Sequence, residues 1–187
     1  ISKSLGNAIS PKTLDEKYGA DSVRYFICRN FVLGEDGDFN EKALIDRHNN
    51  ELANKLGNLI SRVSTLAEKY GIEKTRTSDL ESKELLKKIQ SHFNNYELDK
   101  ALNEIFAYID KANEYIQTQK PWETQDKQVL YELVFAIKNI SILLSPFMPE
   151  TSEKIAKTFN FKISLNEIDK PLKISKIKKS EILFKKI

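Results

Sequence analysis

Three places in this sequence carry residue types that could do chemistry. The first is the opening stretch, Ile1-Ser2-Lys3-Ser4-Leu5-Gly6-Asn7. It sets an ammonium, two hydroxyls and a flexible glycine within a few residues. Such a loop can close on phosphate oxygens, which need compact donors and a backbone able to come near. The same composition also fits a frayed chain end. The second is Asn58 with Arg62, four residues apart, a spacing that places them on one face of a helix. An amide offers donor and acceptor together and a guanidinium a fork of donors, so the pair could read the edge of a base; an ordinary polar flank is the other reading. The third is Trp122, the only tryptophan, set directly after Pro121. Its ring need not be buried there. Unpaired RNA bases stack on such aromatics, while a core or hinge tryptophan is the alternative.

Other chemistries find little to stand on. His48 and His92 are far apart and lack a Cys or His partner at metal-ligand spacing. His48 falls on an apolar helical face and reads as a satisfied core or edge histidine. The lone Cys28 excludes an internal disulfide framework and a cysteine-rich metal site. Its neighbours Tyr25, Phe26 and Ile27 are apolar, so we expect a buried thiol in a reducing, cytosolic compartment. No apolar run is long enough to cross a membrane, and no secretory signal is visible. The net charge of +3 is too small to mark a nucleic-acid binder, although seven lysines and one Glu lie between Lys170 and Lys186.

The elements that must position these residues are mostly helices. With 40% hydrophobic and 30% charged residues, but only 6 Gly and 5 Pro, the chain of 187 residues suits long helices joined by short loops. Thr13 with Glu16 suggests a capping box for a short helix that Gly19 ends. Asp21 or Ser22 can begin a second helix carrying Val23, Phe26 and Ile27. Phe31-Val32-Leu33 could form a short strand, with turns at Gly34 and Gly37. From Asn40, a helix cap, apolar residues recur at three and four from Leu44 to Tyr70, predicting one amphipathic helix of about eight turns that Gly71 ends. Asn58 and Arg62 lie roughly 100° from the centre of its apolar stripe, beside Lys55 and Lys69. Gly57, inside this helix, suggests close approach of another helix or of a ligand. Further helical patterns follow over Leu85–Phe93, Leu98–Ile116, Leu130–Leu144 and Thr151–Phe159, with breaks at Pro121-Trp122 and Ser145–Pro149. The helix over 130–144 is the most apolar and should form the centre of the bundle. The fold class is therefore mainly α: an antiparallel helical bundle over 40–160, after a small α+β module in 1–39. Residues 161–187 are too few for a core of their own and should pack back as an extended piece ending in Ile182-Leu183-Phe184. If the third helix ran antiparallel to the long one, Trp122 need not lie far from Asn58 and Arg62.

Several stretches resemble one enzyme family. Ile1-Ser2-Lys3-Ser4-Leu5-Gly6-Asn7 is similar to the KMSKS signature loop of class I aminoacyl-tRNA synthetases, with Ile1 in the Met place. Tyr18 to Phe26 looks like the helix that follows it. Three more stretches resemble methionyl-tRNA synthetases in particular: Asp36-Gly37-Asp38-Phe39, Leu52 through Arg62, and Asn113-Glu114-Tyr115-Ile116 with Lys120-Pro121-Trp122. The last residues, Ile182 to Ile187, resemble the end of that family's core. The resemblance covers nearly the whole chain in order.

The resemblance implies that Ser2, Lys3 and Ser4 form the loop that closes on ATP, with Mg, during methionine activation, Lys3 stabilising pyrophosphate. It implies that 1–39 is the signature loop with a stem-contact module, and that the bundle recognises the CAU anticodon of tRNA-Met. Asn58 and Arg62 would read base edges and Trp122 would stack on a base. The family's nucleotide-binding catalytic domain does not precede Ile1 in this sequence. On this reading the chain alone makes no methionyl-adenylate and is either an excised piece or the second subunit of a split enzyme. Its partners would be tRNA-Met and that N-terminal catalytic portion, in the cytoplasm, with no membrane and no metal site. Two alternatives stand beside it: the equivalent domain of a class I synthetase for another amino acid, and a helical protein-interaction module.

Overall fold

The computed structural model describes residues 10–74, 80, 82–173 and 176–187. The first two helices, α1 (Pro11–Tyr18) and α2 (Ala20–Asn30), meet at Gly19, whose φ of 81° lets one helix stop and the next begin within a single residue. Both start earlier than the expected caps. Pro11 opens α1 because its fixed φ is already helical. Asp21 does not cap α2; its Oδ2 instead accepts the Thr151 backbone N–H at 2.6 Å, at the start of a helix distant in the chain. Leu14, Tyr18, Val23 and Phe26 form a small core with Leu44, closed at one side by Phe31 and Phe39.

The expected strand at Phe31-Val32-Leu33 is absent, and no strand forms among the described residues. Only the ring of Phe31 turns inward, edge-on to Phe26 at 5.9 Å. Val32 and Leu33 are 47% and 63% exposed. A β-rich triplet with no partner strand has nothing to hydrogen-bond, and the segment settles as turns instead.

The long helical run of Asn40–Tyr70 is present, but it is not uniform. It comprises α3 (Glu41–Arg47), a π-helical stretch His48–Gly57, and α4 (Asn58–Tyr70). Asn40 caps it, its Oδ1 accepting the Ala43 N–H at 3.1 Å. Gly71 (φ 80°) ends it. The π turns set each carbonyl beneath the residue five positions on. A Cβ on Gly57 would meet the Leu52 carbonyl at 3.2 Å and the Phe184 ring at 3.8 Å. The approach that Gly57 permits is thus to its own wide turn and to the returning tail.

The bundle continues through α5 (Lys83–Asn94), α6 (Leu98–Gln119), the single turn α7 (Pro121–Thr124), α8 (Lys127–Leu144) and α9 (Pro149–Phe159). Helix α8 is the central one, with residues buried on every face, including Glu132, Lys138 and Asn139. It packs with Leu52, Leu56, Leu59, Ile60 and Val63 of the long run and with Leu102, Ile105 and Ile109 of α6 in one continuous core. Alternation of direction through α4, α5 and α6 makes α6 parallel to the long run, not antiparallel. Lys55 pairs with Asp110 at 2.7 Å, and farther along both helices Arg62 faces Gln117.

The tail packs back in extended form after a short 3₁₀ turn, Leu165–Glu167. Leu183 and Phe184 pack on the core, while Ile182 stays 74% exposed. His48 is buried and fully engaged, with Nε2 2.8 Å from the Lys185 carbonyl and Nδ1 3.1 Å from Ser22 Oγ. A carbonyl only accepts, so Nε2 carries the proton. Asn49 closes the clasp through the backbone of Ile187 at 2.8 and 3.0 Å. Cys28 is half-buried rather than buried. Burial pushes its thiol pKa up, with Arg24 opposing.

Candidate nucleic-acid interface

Arg62 and Trp122 come together at one end of the bundle. The Arg62 guanidinium carbon lies 5.5 Å from the Trp122 ring centroid, on its face. Local sequence fixes the tryptophan's place. Lys120 adopts a left-handed conformation (φ 44°) that breaks α6. Pro121, buried, then starts the single turn α7 with a preset φ. The Trp122 ring is left half-buried, one side against the rim of the core. Its reach to Arg62 follows from parallel packing, which sets the carboxyl end of α6 beside the first turns of α4.

Gln117, one and a half turns before Trp122, completes the arrangement. With its amide oxygen turned toward the guanidinium, it accepts from Arg62 Nη1 at 2.9 Å and Nη2 at 3.2 Å. Ser61, Thr65 and Leu66 join these three residues in lining an open hollow. The fork of donors is thereby held flat against an aromatic face, a geometry that a lysine could not reproduce. Sequence reasoning missed Gln117. The one available signal was a polar side chain on the helix leading into Trp122, and that did not say which residue of another helix it would face.

Asn58 is exposed on the same run, one turn before Arg62. The two share a flank of the helix, but Asn58 is not among the residues that line the hollow. Of the two expected flanking lysines, Lys55 is tied to Asp110, while Lys69 sits 4.8 Å over the Tyr70 ring. Asn113 donates to the Lys55 carbonyl at 3.3 Å and to Ile109 O at 3.1 Å, fixing α6 against the long run. Ser2, Lys3 and Ser4 lie outside the described residues. Among the described residues no helix is long and apolar enough to cross a membrane.

The helical bundle agrees with what comparison with known proteins finds. Residues 80–186 match the family described as the anticodon-binding domain of tRNA ligase, and residues 1–64 match the class I tRNA synthetases (M). The chain belongs to the anticodon-binding-domain family of tRNA ligases.

Its relatives over the full length are methionine–tRNA ligases. That of Caldanaerobacter subterraneus subsp. tengcongensis is 36% identical, the match covering 100% of this chain and 33% of the relative. That of Helicobacter pylori strain 26695 is 36% identical over 95% of this chain and 30% of the relative. The fold agrees as well. The free-state Mycobacterium tuberculosis methionyl-tRNA synthetase aligns with a TM-score of 0.88 at 25% identity, covering 97% of this chain and 41% of that one. The same enzyme bound by methionyl-adenylate aligns with a TM-score of 0.90 at 27% identity, covering 98% and 41%. The chain thus corresponds to the anticodon-binding region of methionyl-tRNA synthetases and spans about a third of the length of the curated relatives it matches.

Proposed function

We propose that this chain is the tRNA-reading part of a methionine–tRNA ligase and recognises the CAU anticodon of tRNA-Met. The observation that carries this reading is the Arg62 guanidinium on the Trp122 face, 5.5 Å from its centroid, with Gln117 bracing it. An aromatic plane beside a fixed fork of donors suits one unpaired base stacked and its neighbour hydrogen-bonded at the edge. Asn58 supplies a further donor and acceptor on the same flank. Lysines of the tail add attraction to the phosphate backbone without reading sequence. Binding of tRNA-Met is therefore expected to weaken as salt rises, and to fall about tenfold or more when a single anticodon base is changed. Filter binding with wild-type and anticodon-swapped transcripts checks this, and equal affinities would remove anticodon reading.

The proposed role of the opening loop, Ser2-Lys3-Ser4, lies in the complete enzyme. There the Lys3 ammonium would approach the phosphates of ATP, with Mg, while methionine is activated, and stabilise charge that builds on the leaving pyrophosphate. The partner required is the N-terminal catalytic portion. Supplying that portion in trans is expected to give methionine-dependent ATP–pyrophosphate exchange, measured beside the chain alone. Exchange that survives unchanged in Lys3→Ala would take Lys3 out of the mechanism.

A further inference from the structure

The lysine buried in the central helix is not accounted for by anticodon reading. Lys138 is 2% exposed, yet it lies in the wall of a cavity of about 270 Å³ between α8, the carboxyl end of α9 and the returning tail. Its ammonium donates to the Lys170 carbonyl and sits 5.0 Å from the Phe135 centroid. One acceptor for three N–H donors leaves donor capacity toward the cavity. A buried charge normally has an ionic partner close by. Among the described residues Lys138 forms no ion pair: the cavity's one carboxylate, Glu167, is 3.5 Å from Lys170 instead. Lys162 and Lys173 bring two more ammonium groups to the rim, and Phe159, Phe161 and Leu172 give the walls an apolar face.

We propose that this cavity binds a small organic anion with an apolar body. Lys138, Lys162 and Lys173 would hold the anionic group, and Phe159, Phe161 and Leu172 would hold a ring or branched chain. The balance of charge favours an anion. The carboxyl end of α9 opposes one with about half a unit of negative charge, and Glu167 and Asp169 with one unit each, against the ammonium groups of Lys138, Lys162 and Lys173 and that of Lys170, which is paired with Glu167. Size sets the ligand class. A dry cavity of roughly 150 Å³ takes a benzene ring, so this one accommodates a one- or two-ring phosphate or carboxylate. Burial lowers the Lys138 pKa, while the carboxylates of Glu167 and Asp169 oppose the shift. The site lies apart from the Arg62–Trp122 hollow and shares no lining residue with it.

The probe is 1-naphthyl phosphate, titrated into the whole chain by calorimetry. One-site binding is expected, with a dissociation constant on the order of 100 μM for a ligand of this size. Lys138→Met is expected to weaken it about tenfold or more. Because that variant alters the core, the surface double variant Lys162→Ala/Lys173→Ala is measured beside it, with an expected loss of about fivefold and an unchanged melting temperature. Neutral 1-naphthol and inorganic phosphate should each bind about tenfold more weakly, since each lacks half of the recognition. No saturation by ~5 mM, parental affinity in the double variant, or equal binding of 1-naphthol would overturn the proposal. So would protection of Lys162 and Lys173 from acetylation by tRNA but not by the naphthyl phosphate, which would assign the lysines to nucleic acid.

Discussion

Replacing Trp122 with alanine should weaken tRNA-Met binding about thirtyfold, the ~2 kcal/mol of one base–aromatic stack. The ring is half-buried at the rim of the core, so truncation also costs some stability. Trp122→Phe separates the two effects. It keeps an aromatic face and should retain affinity within about fivefold, whereas a purely structural role would make both variants behave alike. Arg62→Lys is the companion test. Lysine keeps the charge but loses the fork that Gln117 accepts and the flat surface laid on the ring. A loss of about tenfold is expected, with the salt dependence of binding unchanged, since a base-edge contact does not release phosphate counterions. Because the two side chains touch, their effects should couple by roughly 0.5–1 kcal/mol in a double-mutant cycle. An alanine variant at Trp122 that binds tRNA-Met within twofold of the parent refutes the stacking assignment.

The second large effect concerns how the first two helices are held on the bundle. Glu51, in the π-helical stretch, accepts from the Tyr25 hydroxyl and from Arg47 Nη1 at 3.1 and 3.2 Å, and lies 3.4 Å from Arg29 Nη2. Arg29 also donates to Asn103 of α6. The side chains of Arg29 and Glu51 are only 13% and 17% exposed, so this is a largely desolvated cluster rather than a surface pair. Burial and the neighbouring carboxylate hold the Tyr25 phenol pKa far above its usual range, which keeps it a donor. Glu51→Ala would leave Arg29 buried without its counter-charge. The expected cost is about 3 kcal/mol, at the low end for breaking a buried pair because Arg47 is partly solvated. For a chain of this length that corresponds to a fall in melting temperature of roughly 6–12 °C. Glu51→Gln keeps an acceptor for Tyr25 and should cost about half as much. Calorimetry of the three proteins is decisive, and a loss below ~1 kcal/mol in the alanine variant would show that the cluster is merely tolerated.

The long run of Asn40–Tyr70, its cap at Asn40 and its stop at Gly71 could be read directly from the chain, because they rest on contacts within a few residues. The apolar spacing of α6, α8 and α9 was equally plain, and so was α8 as the central helix. The shared flank of Asn58 and Arg62 needs only one helical turn. What failed was local chemistry with more than one use. Asp21 looked like a cap for its own helix, but its carboxylate meets the Thr151 N–H. Phe31-Val32-Leu33 had strand composition and no strand to pair with. Gly57 promised a close approach without saying that Phe184 would make it.

The hollow itself belongs to this second kind. Sequence determined that this chain has an arginine on a helix flank and a tryptophan at a helix end. The chain around them resembles methionine–tRNA ligases over its full length. Only the tertiary structure decided that α6 runs parallel to α4, so that Gln117 and Trp122 meet Arg62. Only it decided that Lys138 faces a cavity. Helical period and caps are set by neighbours in the chain, whereas the direction of packing and the burial of a charge depend on groups more than fifty residues apart in one case and about thirty in the other.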